Sequence, residues 1–139
     1  MKIIKEGILF EEPNIFLDWG KPVQELVKKY NAIVEKHGNI YYAYWGENTF
    51  IKNSAINLMT PFINNHPFQE LEFLSTGKSI EDKFDIIKEY LNRQFGQPTK
   101  GTNVFRSFTE WVVDYAIIRL DLDDFRSGIL ILSIKNNCS

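Results

Sequence analysis

Gly77-Lys78-Ser79-Ile80-Glu81-Asp82 opens a run that closes at Phe95-Gly96, and its spacing decides the fold class. Ile80, Phe84, Ile87, Leu91 and Phe95 recur at steps of three and four, the stripe of a helix with one apolar face. Ser79 stands where a side-chain oxygen can accept from a free N–H of the first turn, in a capping box whose fourth place holds Asp82. Gly96 followed by Pro98 is a stop: a left-handed cap, then a residue that cannot extend the helix.

An earlier stretch has the same opening. Gly20-Lys21-Pro22 leads into Val23, Leu26, Val27, Tyr30 and Val34, again one helical stripe, and His37-Gly38-Asn39 is read as its end. Strand-like sequence flanks both helices. Ile8-Leu9-Phe10 and Ile15-Phe16-Leu17 read as short strands. In Ile40–Trp45 alternation puts Ile40, Tyr42 and Tyr44 on one face and Tyr41, Ala43 and Trp45 on the other. Gly46-Glu47-Asn48 reads as a hairpin turn, Thr49–Met59 as the returning strand with a break at Lys52-Asn53-Ser54, Thr60–Pro67 as a loop and Phe68–Leu74 as a further strand. Phe108–Leu122 is the longest β-like stretch, with a change of apolar phase at Ile117-Ile118 that suggests a bulge or a kink. Asp123–Gly128 turns the chain into the apolar run Ile129–Ile134, read as a central strand.

The expected fold is therefore α+β: a single antiparallel sheet with two main helices packed on one face. The 139 residues are read as one domain with no linker. Two α-β-β-β units in tandem, roughly 15–75 and 76–137, would account for the paired openings. Convergence on a common helix-start signal is the other explanation.

Composition narrows the function classes. Hydrophobic content of 44% with 24% charged residues is that of a globular chain. Aromatic residues reach 14%, enough to fill a core with rings and leave some for a binding face. A net charge of −2 without a Lys/Arg cluster argues against nucleic acid, whose binders draw affinity from phosphate neutralisation. The single cysteine, Cys138, excludes an internal disulfide, which is the intracellular pattern. No apolar run reaches membrane-span length, and Met1–Glu6 lacks the features of a signal peptide. The expectation is a cytoplasmic protein. Plentiful Ile, Asn and Lys with scarce Ala suggest an A+T-biased bacterial coding sequence.

Catalytic signatures are missing. His37 and His66 are read in loops, Cys138 in a polar tail, and there is no Gly-x-Ser-x-Gly elbow. Gly77-Lys78-Ser79 lacks the upstream glycine of a phosphate loop, so a helix start explains it better. Asp121, Asp123 and Asp124 lack the spacing of a calcium loop and are read as a solvated acidic turn. No cofactor, metal or catalytic residue is assigned.

Glu110 and Asp114 interrupt an apolar strand and would share a face with Val112. With Tyr42 and Tyr44 they form the candidate contact surface: an aromatic and acidic face of the open sheet. The leading expectation is a non-enzymatic protein that binds a protein partner, or a second copy of itself, through Tyr42, Tyr44, Glu110 and Asp114, without engaging nucleic acid or membrane. The profile resembles that of many small bacterial proteins, among them immunity proteins, which neutralise a toxin by masking it, and regulatory proteins. This likeness is of type, and no residue is carried over from it. The alternative is a small-ligand domain with a pocket between sheet and helices.

Overall fold

Helix α2 (Ile80–Phe95) lies where its stripe predicts, with Ile80, Phe84, Ile87 and Leu91 buried. The structure is a computed structural model, and it describes residues 1–10, 14–51, 54–76, 80–101, 107–123 and 128–137. The readings placed on Gly77-Lys78-Ser79, Asp124 and Cys138 lie outside these residues. The chain divides into two compact units, Met1–Glu72 and Phe73–Ser139.

The first unit departs from a single sheet. Strands β1 (Lys2–Ile4), β2 (Gly7–Phe10) and β3 (Ile15–Asp18) form a separate three-stranded antiparallel sheet. Ile8, Phe10, Ile15 and Leu17 give it a buried face. Its first strand escapes a reading of the sequence because Lys2-Ile3-Ile4 is short and bounded by charge.

Helix α1 (Val23–Tyr30) is half the length its stripe suggests. Pro22 stands at its N-cap without a side-chain cap, and the Val23 N–H instead donates to the His66 carbonyl at 2.9 Å. The helix ends at Asn31, which takes a left-handed φ of 52°, while the Ala32 N–H returns to the Val27 carbonyl at 3.0 Å. Val34 thus belongs to a strand, β4 (Ile33–His37), not to the helix. Its β-branched pair Ile33-Val34 favours extended backbone once Asn31 has closed the helix. Gly38-Asn39 is the two-residue turn from β4 into β5 (Ile40–Ile51), and His37 pairs with Ile40.

β5 runs through Gly46-Glu47-Asn48, so no hairpin forms there. Gly46, at φ 100°, marks a bulge where the register shifts between Tyr44 and Gly46. β6 (Ser54–Phe62) continues through Thr60-Pro61, read from sequence as loop. β7 (Glu70–Thr76) pairs with β6 at Glu72–Met59. The order β4-β5-β6-β7 leaves β4 at an edge. On the face toward α1, Ala43 and Trp45 are buried. The Trp45 indole N–H donates to Thr60 Oγ1 at 2.8 Å, and the Thr60 hydroxyl donates to the Glu70 carbonyl at 2.9 Å, so these buried polar groups are satisfied.

In the second unit, α2 packs on β10 (Ala116–Asp123) and β11 (Ile129–Asn136). The order β11-β10-β9-β8 is completed by β9 (Ser107–Val112) and the two-residue β8 (Lys100–Gly101). The phase change near Ile117 is neither a bulge nor a kink. A hairpin turn at 113–115 separates β9 from β10, with Val112 opposite Ile117 and the Val113 N–H donating to the Ala116 carbonyl. Its one turn-favouring residue is Asp114, set between Val113 and Tyr115 in a β-rich run, which hides the turn in the sequence. Buried positions therefore pass from odd (Thr109, Trp111) to even (Ala116, Ile118, Leu120, Leu122). Leu130, Leu132 and Ile134 supply the buried face of β11.

Gly96 adopts φ 82° after α2, its N–H donating to the Asn92 carbonyl and its carbonyl accepting from the Trp111 indole at 3.1 Å. A Cβ at Gly96 would meet nothing within 4 Å, so substitution tests the backbone alone. Gly96→Val is expected to destabilise the protein by about 1–2 kcal/mol in urea unfolding. An unchanged midpoint would contradict the cap.

Candidate functional site: the outer face of β4, β5 and β6

The first unit gathers polar and aromatic side chains on the sheet face opposite α1. In the ladder, Tyr44 lies between Ile33 of β4 and Met59 of β6, and Tyr42 between Glu35 and Pro61. Tyr42 and Tyr44 are half-buried, as alternation with buried Ala43 and Trp45 requires.

Glu35 and His37 are brought to this face by β4. His37 Nε2 lies 3.3 Å from Glu35 Oε2, and its ring meets Tyr42 edge-on at 5.5 Å. The Tyr44 hydroxyl donates to the Glu35 carboxylate. Burial, then the Glu35 charge and this hydrogen bond, hold the Tyr44 phenol above its ordinary value of 10.0. Around these polar groups the surface is apolar: Ile33 is 68% exposed and Ile40 38%. A shallow depression of about 170 Å³ beside Tyr42 is lined by Ile40, Pro61, Phe62, Ile63 and His66.

The Tyr44 shift has a consequence for stability. Because the folded pKa is raised, native Tyr44 stays protonated as pH passes 10, whereas unfolded Tyr44 ionises. Its contribution is complete below pH 10 and is lost as pH rises through the folded value. Glu35→Gln removes the charge but keeps the burial, and is expected to lower the Tyr44 pKa part of the way to 10.0. Ultraviolet titration, with Tyr44→Phe as the blank, reads this directly. An unmoved titration would place Glu35 away from Tyr44.

Glu110 and Asp114 belong to the second unit. Glu110 does point away from α2, since Thr109 and Trp111 on either side of it are buried. It is not an uncompensated acid: Arg119, opposite it in the ladder, places Nη1 3.5 Å from Glu110 Oε2 and Nε 2.8 Å from Asp121 Oδ2. The Arg119 guanidinium also lies 4.3 Å from the centroid of the Phe108 ring. Asp114 is exposed in the hairpin turn, past the end of β9, and does not continue the face of Glu110 and Val112. Asp121 is likewise not in a solvated turn; it is buried in β10 beside Arg119.

The sequence missed Glu35 and His37 because β4 was absorbed into α1. The signal was present in Ile33-Val34 followed by a Gly-Asn turn. His37 ends a strand, and only His66 lies in a loop. Among the described residues, no group of three or more His, Cys, Asp or Glu could hold a metal ion, and no helix is long and apolar enough to cross a membrane. The chain matches no family model, no curated protein and no solved structure.

Proposed function

We propose that this chain is a non-enzymatic protein-binding module that engages a protein partner through the outer face of β4, β5 and β6. Tyr42 and Tyr44 are its aromatic anchors, with Glu35 and His37 beside them as polar groups that set specificity. The observation that carries the reading is Ile33, a large aliphatic side chain 68% exposed on an edge strand next to Tyr44. Exposed aliphatics flanking half-buried tyrosines, with a few polar groups between them, have the composition of an interface centre. The open geometry argues against catalysis, because a Glu–His pair in solvent excludes no water.

The test compares proteins retained from host lysate by the parent, by Ile33→Asp and by Ile86→Asp. Ile86 is an exposed position of α2, so it controls for the loss of any surface aliphatic. A partner retained by the parent and Ile86→Asp, lost with Ile33→Asp and then bound directly when purified, supports the reading. Equal retention by all three contradicts it.

A further inference from the structure

The other side of the same strands carries a second feature. A cleft of about 370 Å³ lies between α1 and the sheet, lined by Gln24, Val27, Val34, Tyr41, Phe62 and Asn64. That volume is within the range of small-molecule sites. Its lining is mixed in a specific way. Val27 and Val34 are aliphatic walls, and the Tyr41 and Phe62 rings lie 5.7 Å apart as a floor. Gln24 and Asn64 bring carboxamides, and Asn64 is held at a left-handed φ of 54°. No charged side chain lines the cleft among the described residues.

A cation stands next to it. Lys36 lies opposite Tyr41 in the ladder, and its Nζ sits 5.6 Å from the centroid of the Tyr41 ring. Lys36 and Val34 point to the cleft side, whereas Glu35 and His37 point to the outer face. The strand thus separates its charges, so that a positive group neighbours the cleft and, among the described residues, no carboxylate lines it. Val34 and Tyr41 remain more than a third exposed in it.

We propose that this cleft binds a small ring-bearing carboxylate. The ring lies on Tyr41 and Phe62 between Val27 and Val34. The carboxylate faces the Lys36 ammonium and accepts from the carboxamide N–H groups of Gln24 or Asn64. Such a ligand satisfies the aromatic floor, the amide donors and the sign of the local charge together. A neutral ring satisfies only the first two.

The probes are 2-naphthoate and its uncharged analogue 2-naphthamide, titrated into the full chain and followed by amide NMR shifts. 2-Naphthoate is expected to move Val27, Val34, Tyr41 and Phe62 with a dissociation constant below about 1 mM, as a ligand of this size can reach. Lys36→Gln is expected to weaken 2-naphthoate about three- to fivefold, the scale of a solvent-facing ion pair, and to leave 2-naphthamide unchanged. Val34→Glu, at an exposed position, should abolish 2-naphthoate binding while the spectrum stays folded. No saturable shifts in the millimolar range would overturn the proposal. So would shifts centred on Tyr42 and Tyr44, or Lys36→Gln affecting both probes alike. Failure here leaves the outer-face reading standing, because the two residue sets lie on opposite sides of the sheet.

Discussion

Phe68→Ala is expected to cost about 3–5 kcal/mol, the range for removing a fully buried Phe. Phe68 is 0% exposed, yet it lies outside any strand, in the segment between β6 and β7. Its ring stacks on Trp19 at 5.0 Å with planes 10° apart and meets Trp45 edge-on at 6.5 Å. Offset and edge contacts of this kind each add about 0.5–1.5 kcal/mol beyond burial. Its backbone also ties the entry to α1, since the Phe68 N–H donates to the Lys21 carbonyl and its own carbonyl accepts from Gly20. Those backbone bonds survive the substitution, so the loss measured is that of the ring. Phe68→Leu should recover more than half of the effect, because a comparable volume is restored. A urea midpoint for Phe68→Ala indistinguishable from the parent would mean that the ring is not in the core.

Gly7→Ala is expected to cost about 2–3 kcal/mol through overpacking, although alanine suits a strand interior better than glycine. Gly7 is buried in β2, opposite Asp18 of β3. A Cβ there would press into the Leu17 carbonyl oxygen, with the Leu17 carbonyl carbon at 2.9 Å and Asp18 Cα at 3.0 Å. All three are backbone atoms, so relief requires the two strands to separate. The sign is diagnostic. Relief of backbone entropy alone predicts a small stabilisation, whereas strand contact predicts a loss several times larger. A stabilised Gly7→Ala variant would show that β2 and β3 do not pair in this register.

The parts legible in sequence were those where one period dominates. The α2 stripe and Gly96 stop lie where spacing put them, as does the alternation that turns Ala43 and Trp45 inward and Tyr42 and Tyr44 outward. Two of the misreadings are element boundaries that carry no local break. Val34 falls four residues after Tyr30, so a strand looked like a last helical turn, although Asn31 had already closed the helix. The hairpin turn at 113–115 has only Asp114 as a turn-favouring residue, so two strands looked like one with a bulge or a kink. Gly46 reads as a hairpin turn in sequence but serves a bulge.

These errors shaped the candidate site. Tyr42 and Tyr44 follow from alternation alone. Glu35 and His37 do not, because their direction depends on β4 being a strand. Glu110 faces away from α2, and Arg119 reaches it because β10 folds back against β9. Long-range pairing of this kind leaves no local signature, so a charge that looks available in sequence can be neutralised by a residue one strand away.

A protein seated on the outer face of β4, β5 and β6 would be captured by a crosslinker placed there. Site-specific photocrosslinking in the native host tests this most directly, with a benzophenone side chain placed at Ile33 and, as control, at Ile86. Both positions are exposed, so neither probe should disturb folding. A discrete adduct of defined mass is expected from position 33 and none from position 86; an adduct at twice the 16.3 kDa chain mass would identify a second copy as the partner. Identical adducts from both positions, or none from position 33, would contradict the proposed interface.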